Sequence, residues 1–362
     1  MEPEAQAPAA GRPKVIAGWL LALCAMVFAM VVLGGVTRLT HAGLSMVEWK
    51  PVTAWLPPLA EAEWQEAFRD YRRFPEYKDL NPDMTLSGFK SIFWLEYAHR
   101  LWGRLIGFAF LIPFAFFVVR GWVGRRLAAK LIPVFVLGAF QGLLGWYMVQ
   151  SGLVDRPDVS QYRLTAHLGV AFVIYGYMLW VALGLLLPAP AGRRPPAAFG
   201  RFAYLVAGSV LVTVLSGGLV AGLDAGFAYN TFPLMDGELV PAALFAMDPF
   251  LVNFFEDIAT VQFTHRLFAL LLLAAVGVFW LRARNAGLAP RGRVALNLLA
   301  VTAAGQVGLG ISTLLLVVPV PLAVAHQGGA LALFTAALWT AYELRSRVGA
   351  GAAGPAEGPT PP

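Results

Sequence analysis

Four histidines lie inside long apolar stretches, where an ionisable side chain is costly and by default indicates function. They are His99, His167, His265 and His326. A single histidine of this kind is as often a hydrogen-bonding partner of a neighbouring helix as it is a ligand. Four in matched positions favour ligands, because two histidines from two helices can bind one porphyrin iron from both sides. The sequence therefore predicts two hemes, each held by a histidine pair.

The histidines belong to an internal repeat that matches His99 with His265 and His167 with His326. The matched segments are 96–101 with 262–267, 166–169 with 325–328, 141–145 with 306–310, and 33–36 with 216–219. The spacing between partners is nearly constant, at 265 − 99 = 166, 306 − 141 = 165 and 326 − 167 = 159. Each half of the chain thus offers two histidines at a similar depth.

Other readings of these histidines are less favoured. A structural zinc site needs more ligands than two histidines per half without a converging carboxylate or thiolate. The single cysteine, Cys24, excludes an internal disulfide and a CxxC heme attachment. His41 has no partner in the repeat and is excluded as a ligand. A small residue follows each paired histidine by four positions, which suits a flat macrocycle but also ordinary helix packing. These small residues are Gly103, Ala171, Ala269 and Ala330.

Glu96 is the asymmetric feature of the repeat. It precedes His99 by three residues and shares its helix face, whereas the matched residue is Gln262. A carboxylate beside one heme and an amide beside the other predicts different tasks for the two halves. The alternative is a surface glutamate at a helix start, stabilised by the helix dipole. Arg100 and Arg266 either pair with heme propionates or extend to lipid headgroups.

The elements that must position these residues are membrane helices. Of the 362 residues, 58% are hydrophobic and 13% charged, whereas a soluble domain carries roughly 25% charged residues. The net charge of +6 lies in short loops, a positive-inside pattern and not a nucleic-acid-binding patch. Eight stretches reach the length of about 20 residues that a bilayer requires. They are residues 15–36, 94–119, 131–149, 164–187, 202–220, 261–281, 294–316 and 322–342.

Loop charge sets the expected orientation. The loops after the second, fourth and sixth spans are basic and lack acids, whereas residues 221–260 contain six acids and no lysine or arginine. Even-numbered spans therefore end in the cytoplasm, as do both termini. Because the first and fifth spans both run outward, we expect two four-helix bundles related as parallel repeats about the membrane normal.

These patterns predict an all-α integral membrane protein in five segments. A cytoplasmic segment, 1–14, resembles neither a signal peptide nor a transit peptide. The N-terminal half spans 15–187, and a cytoplasmic linker, 188–201, leads to the C-terminal half, 202–345. The tail, 346–362, rich in Gly, Ala and Pro, is expected to be disordered.

At these residues the sequence resembles the heme A synthase family, from about residue 30 to 340. The most specific stretches are Asn-Thr-Phe-Pro-Leu-Met at 230–235 and the Glu-x-x-His-Arg run at 96–100. Residues 34–40, 43–46, 93–95 and the four histidine neighbourhoods also match. The chain is most similar to the subgroup of α-proteobacteria and mitochondria. It lacks the cysteine pair that some bacterial members carry in the first outer loop.

The resemblance implies conversion of heme O to heme A for cytochrome oxidase. A porphyrin methyl group is hydroxylated successively, and the gem-diol loses water to leave a formyl group. By resemblance, His265 and His326 hold a heme b cofactor, and His99 and His167 belong to the substrate heme. The family's glutamate corresponds to Glu96, which could stabilise a methyl-derived cation or accept a proton.

The implied partners are heme O, the lipid bilayer of a bacterial inner membrane, heme O synthase and cytochrome oxidase assembly factors. The electron acceptor stays open. Two other function classes remain. A diheme electron-transfer subunit of a quinol-oxidising complex would also use bis-histidine hemes, but the difference between Glu96 and Gln262 disfavours it. A repeat-built transporter would carry broken helices at mid-membrane, whereas the polar residues here cluster at the outer edge.

Overall fold

The computed structural model describes residues 12–47, 55–153, 159–187 and 196–345. Eight of its helices are long and apolar enough to cross a membrane, which confirms the predicted number. They are α1 (Pro13–Leu39), α3 (Leu86–Val119), α4 (Arg125–Gly152), α5 (Gln161–Leu186), α6 (Ala197–Gly222), α8 (Ile258–Ala283), α9 (Pro290–Leu315) and α10 (Val320–Leu344). Two shorter helices are α2 (Glu61–Tyr71) and α7 (Asn253–Glu256). The protein is therefore an all-helical, multi-pass membrane protein.

The helices extend beyond the predicted apolar stretches. The prediction that the second span begins at 94 is wrong, because α3 begins at Leu86, where Thr85 accepts a hydrogen bond from the Gly88 amide (3.3 Å). The other seven helices begin 2 (15 − 13) to 6 (131 − 125) residues before the predicted spans. Hydropathy detects only the turns inside the hydrocarbon, and polar turns continue past it. Since α6 begins at Ala197, the linker predicted at 188–201 is shorter.

Several predicted features lie outside the described residues. These are most of the N-terminal segment, the linker residues 188–195 and the tail from 346. The expected disorder of the tail therefore stays a prediction.

Helix pairs of the first half recur in the second half. The packing of α1 on α3 and α5 corresponds to that of α6 on α8 and α10, and α4 packs on α5 as α9 packs on α10. Between the halves, α1 contacts α10, α6 contacts α5, and α5 contacts α10. A two-fold relation between the halves requires this pattern. Its parallel orientation about the membrane normal stays a prediction.

The interface between the halves is built on matched glycines. Gly35 of α1 faces the side chain of Gln327, whose amide donates to the Val31 carbonyl (2.9 Å). The matched Gly218 of α6 faces Thr165 of α5. Small residues let membrane helices approach closely, so packing and hydrogen bonds can replace the hydrophobic driving force that lipid removes. The two halves are thereby held as one body at the level of the histidines.

An outer segment between α1 and α3 packs against the first two turns of α3. Its aromatic core, here called the outer cap, consists of Trp64, Tyr71, Phe89, Phe93 and Tyr97. Its side chains pack edge-to-face and tilted, with centroids 5.0 Å apart for Trp64 and Phe93. Burial of this aromatic surface, which apolar periodicity did not reveal, is the physical reason that α3 begins so early.

Candidate heme-binding sites

The paired histidines lie near the N-terminal ends of α3, α5, α8 and α10. His167, His265 and His326 stand 6 (167 − 161), 7 (265 − 258) and 6 (326 − 320) residues after the start of their helices. His99 stands 13 residues after Leu86 (99 − 86), because α3 carries the extra turns of the outer cap. The apolar spans predict that each histidine lies within one to three turns of the outer end of its helix. This prediction holds for three histidines and is wrong for His99. Loop charge predicts that these helix ends face outward.

The structure brings the histidines together in the predicted pairs. His99 of α3 and His167 of α5 are close enough for a charge on one ring to affect the other. His265 of α8 lies within electrostatic reach of His326 of α10. Each half therefore presents two imidazoles from two helices, as a bis-histidine heme site requires.

Each histidine ring lies against a glycine of a neighbouring helix. A Cβ at Gly34 would lie 3.3 Å from Nε2 of His99, and one at Gly145 would lie 3.0 Å from Cε1 of His167. In the second half, a Cβ at Gly217 would lie 3.0 Å from Cε1 of His265, and one at Gly310 would lie 2.8 Å from Cε1 of His326. The ring-facing glycines are Gly34, Gly145, Gly217 and Gly310, and they occupy matched positions in the repeat.

The sequence prediction did not assign these glycines to the candidate sites. The repeat had matched their segments, but a glycine in a membrane helix more often signals packing between helices. Only the three-dimensional placement reveals that the missing side chain makes room for an imidazole. The small residues four positions after each histidine, which the sequence analysis had considered, indicated the heme sites less specifically than these glycines do.

Glutamines anchor the backbone at the second histidine of each pair. The Gln141 amide nitrogen donates to the His167 carbonyl (2.9 Å), and the Gln306 amide nitrogen donates to the His326 carbonyl (2.9 Å). The Gln306 nitrogen also lies 3.1 Å from Nδ1 of His326. The corresponding His167 Nδ1 is buried without a hydrogen-bond partner. The two halves thus share the anchor and differ at the ring.

Glu96 is buried, and both of its carboxylate oxygens accept hydrogen bonds. Its exposed fraction is 2%, and it lies ten residues after the start of α3 (96 − 86). One carboxylate oxygen accepts from the Arg100 guanidinium, with an Nε distance of 2.9 Å. The other accepts from the Ser45 hydroxyl (2.7 Å) and the Met46 amide (2.8 Å). The alternative of a surface glutamate at a helix start is therefore wrong.

The second half repeats this arrangement without the charge. The Gln262 side chain accepts from Arg266 (2.8 Å) and donates to the Ala225 carbonyl (2.6 Å). Arg266 also donates to the Tyr229 carbonyl (2.6 Å), as Arg100 donates to the Met46 carbonyl (2.9 Å).

Both arginines therefore hold the turn that follows the first helix of their half. The sequence had offered propionates or lipid headgroups as their partners. The structure gives each arginine protein partners on the outer turn.

The described residues fit a heme in each half. Imidazole nitrogens are heme ligands, and the ring-facing glycines leave space for each imidazole on one side of its ring. The buried, unpartnered Nδ1 of His167 is a polar atom that the helices alone do not satisfy.

The family model described as cytochrome oxidase assembly protein, COX15-CtaA, matches residues 17–338. The chain is 54% identical over 332 residues to "Heme A synthase" of Nitrosomonas eutropha, covering 91% of this chain and 93% of that protein. It is 56% identical over 337 residues to the "Heme A synthase" of Nitrosospira multiformis, covering 92% and 94%. It is 48% identical over 346 residues to "Heme A synthase COX15" of Bos taurus, covering 93% and 84%.

Proposed function

The chain belongs to the COX15-CtaA family of cytochrome oxidase assembly proteins, and from this premise we propose that it converts heme O to heme A. The proposal rests on one structural observation. Two histidine pairs in matched halves each present imidazoles that face glycines, and a buried carboxylate stands three residues before the first histidine of one pair where the other has an amide. Two similar heme sites with one charge difference suit an enzyme that holds a cofactor in one half and a substrate in the other.

In this proposal His265 and His326 bind heme b as the resident cofactor. His99 and His167 bind the substrate heme, near Glu96. A heme b held by these two histidines would supply one-electron transfer. Gly217 and Gly310 leave room for the imidazoles of the cofactor site, and Gly34 and Gly145 do the same at the substrate site.

The reaction replaces a porphyrin methyl group with a formyl group. The methyl group and one water give the formyl group, four protons and four electrons, and an external electron acceptor takes the four electrons. Each oxidation withdraws negative charge from the methyl carbon, so a nearby anion stabilises the electron-poor carbon before water adds. Glu96 supplies this anion, and the ion pair with Arg100 compensates its negative charge within a low-dielectric surrounding.

Arg100 and Arg266 combine two roles in this proposal. Their bonds to the Met46 and Tyr229 carbonyls fix the outer turn of each half. Their guanidinium groups also place positive charge at the outer edge of each site, where heme propionates would lie. Substrate and cofactor are thereby oriented with their propionates outward.

The expected setting is a bacterial inner membrane with both termini in the cytoplasm. Heme O synthase would supply the substrate, and cytochrome oxidase assembly factors would receive the product. Both transfers involve an apolar macrocycle, which favours delivery through lipid or by direct contact.

Pigment analysis tests the function. The full chain, produced together with a heme O synthase, is purified, and its extracted hemes are separated chromatographically. We expect heme B together with heme O and heme A. Heme B alone, with neither O nor A in the protein or the membranes, would favour the diheme electron-transfer subunit instead.

A further inference from the structure

The hydroxyl of Ser216 lies beside the ring of His265. Its Oγ is 2.8 Å from Nδ1 of His265 and 2.8 Å from the carbonyl oxygen of Thr213. A serine hydroxyl has one proton, and a carbonyl oxygen can only accept it, so that proton goes to Thr213. The Ser216 oxygen is therefore placed to accept from the Nδ1–H of His265, beside the Thr213 carbonyl that lies within reach of the same ring. This leaves the lone pair of His265 on Nε2, the nitrogen that a heme iron needs.

The matched residue in the first half is Leu33. The Gly34–Gly35 and Gly217–Gly218 pairs fix the register, and the residue before each pair is Leu33 in one half and Ser216 in the other. A leucine side chain offers no acceptor. Across residues 12–47, 55–153, 159–187 and 196–345, no hydrogen bond reaches a ring nitrogen of His99. The ring of His99 also lies differently, with Nε2 and not Cε1 nearest to its glycine.

The second histidines of the two pairs also differ in their ring contacts. Nδ1 of His326 lies 3.1 Å from the Gln306 amide nitrogen, whereas Nδ1 of His167 is buried and has no partner. The amide nitrogen of Gln306 can only donate, so this contact orients the His326 ring but does not accept a proton from its Nδ1. Among the four paired histidines of the described residues, a side-chain acceptor at Nδ1 is found at His265. A partner at the non-ligating nitrogen orients the imidazole, selects its tautomer and increases its basicity, and its loss typically weakens metal affinity about 10–100-fold.

We propose that Ser216 is the positioning residue that makes the C-terminal site retain its heme, and that Leu33 at the matched position keeps the N-terminal site exchangeable. The inference rests on the proposed function, because only a cofactor must stay while a substrate heme must enter and a product heme must leave. The serine-to-leucine difference beside the first histidine then adds to the difference between Glu96 and Gln262 in fitting the two halves for two tasks.

The first experiment concerns the cofactor site. Ser216→Ala removes the acceptor and keeps the helix, and the Ser216→Thr variant retains a hydroxyl. Thr213→Val is the matched control, because the Thr213 hydroxyl donates to the Ser209 carbonyl and only the Thr213 backbone serves Ser216. Heme b content, the rate of heme transfer to apomyoglobin and the reduction potential are measured on the full-length protein in nanodiscs.

We expect heme loss from Ser216→Ala to be about 10–100-fold faster than from wild type, with a more positive reduction potential because the imidazole is less basic. Thr213→Val and Ser216→Thr should behave as wild type. Wild-type heme loss and an unchanged potential in Ser216→Ala would overturn the assignment of Ser216.

The second experiment adds the missing acceptor. Leu33→Ser places a hydroxyl one position before Gly34, where it can donate to the carbonyl one turn earlier as Ser216 does. We expect the N-terminal site to retain co-purified heme O or heme A longer and to turn over more slowly. Unchanged retention would overturn the role of Leu33. Heme b retention is measured in resting protein and does not depend on turnover. A failure to form heme A would therefore contradict the proposed function, while the measurement on Ser216→Ala would still test the role of Ser216.

Discussion

Glu96 and Arg100 form a buried ion pair one helical turn apart, and Gln262 and Arg266 form the matched hydrogen bond in the second half. Both arginines continue to the backbone carbonyl of the outer turn, at Met46 and Tyr229 respectively. Since the neutral pair holds its turn as the charged pair does, the turn does not require the negative charge of Glu96. We therefore propose that the charge of Glu96 serves the chemistry of the N-terminal site and not the fold of the turn.

Glu96→Gln is expected to reduce heme A formation by about two orders of magnitude, or to stall it at a hydroxylated intermediate. This magnitude follows from about 3–4 kcal/mol for one electrostatic stabiliser in a low-dielectric site. Heme b content should stay normal, because Glu96 belongs to the other half. Extracted hemes from cells that express the variant are separated by chromatography.

Ser45→Ala is the matched control for Glu96→Gln. It removes one hydrogen bond to Glu96 and keeps the charge, so we expect a loss of activity well below that of Glu96→Gln. Wild-type heme A levels in Glu96→Gln, or equal losses in the two variants, would reduce Glu96 to a residue that only secures the outer turn.

Loss of a C-terminal histidine should remove the cofactor. His265→Ala and His326→Ala are expected to lose heme b while the helices stay folded, because an axial ligand provides most of what orients a non-covalent heme. His99→Ala and His167→Ala should keep heme b and lose bound heme O. Optical spectra and extracted pigments distinguish the two outcomes.

His41→Asn is the control for the histidine variants, since His41 lies in an outer turn at φ 50°, a conformation that asparagine tolerates. It should retain both pigments. Full heme b content in His265→Ala and His326→Ala would contradict the assignment of the cofactor site.

The ring-facing glycines give a prediction that uses no charged or ligating residue. In Gly310→Ala the added methyl would lie 2.8 Å from Cε1 of His326, so the ring must shift. Overpacking of this kind costs about 1–3 kcal/mol, and we expect heme b occupancy to fall about ten-fold.

Gly308→Ala lies two residues away on the same helix, and its methyl would meet no atom within 4 Å. Because alanine also favours a helix, this control should bind heme b as wild type does. Equal heme b content in Gly310→Ala and Gly308→Ala, measured by the pyridine hemochrome spectrum, would show that the glycine does not shape the site.

The sequence predicted the parts of this fold that lipid and repetition determine. Eight apolar stretches must become helices, because a bilayer leaves no other partner for backbone groups. The internal repeat was sufficient to identify the histidine pairs. It could not identify Gly310 or Gly217 as ring-facing, because a glycine that packs helices looks the same. Nor could it predict that Glu96 bonds Ser45 and Met46, since that depends on how the outer turn folds back.

The outer cap gives the pH prediction. Glu76 is buried against the Tyr71 hydroxyl (3.2 Å), which Asn81 also contacts (3.0 Å). Burial raises the pKa of Glu76 from 4.5 to about 8, the Tyr71 hydrogen bond opposes the rise, and the charge of Glu96 adds to it. A raised carboxyl pKa means that the folded cap binds a proton that the unfolded segment releases. The stabilisation is fully present below pH 4.5 and is lost progressively as the pH rises towards about 8.

We therefore expect the outer cap to open more readily at about pH 9 than at about pH 6, while the membrane helices stay folded. Hydrogen exchange of α2 and the following residues up to Leu80, corrected for the intrinsic pH dependence of exchange, measures the opening. Glu76→Gln keeps a neutral side chain at every pH and should abolish the difference. Glu66→Gln changes an exposed glutamate of the same helix and should retain it. If Glu76→Gln still loosens over this pH range as wild type does, another group controls the cap. If wild type shows no change, the buried carboxyl of Glu76 does not limit its stability.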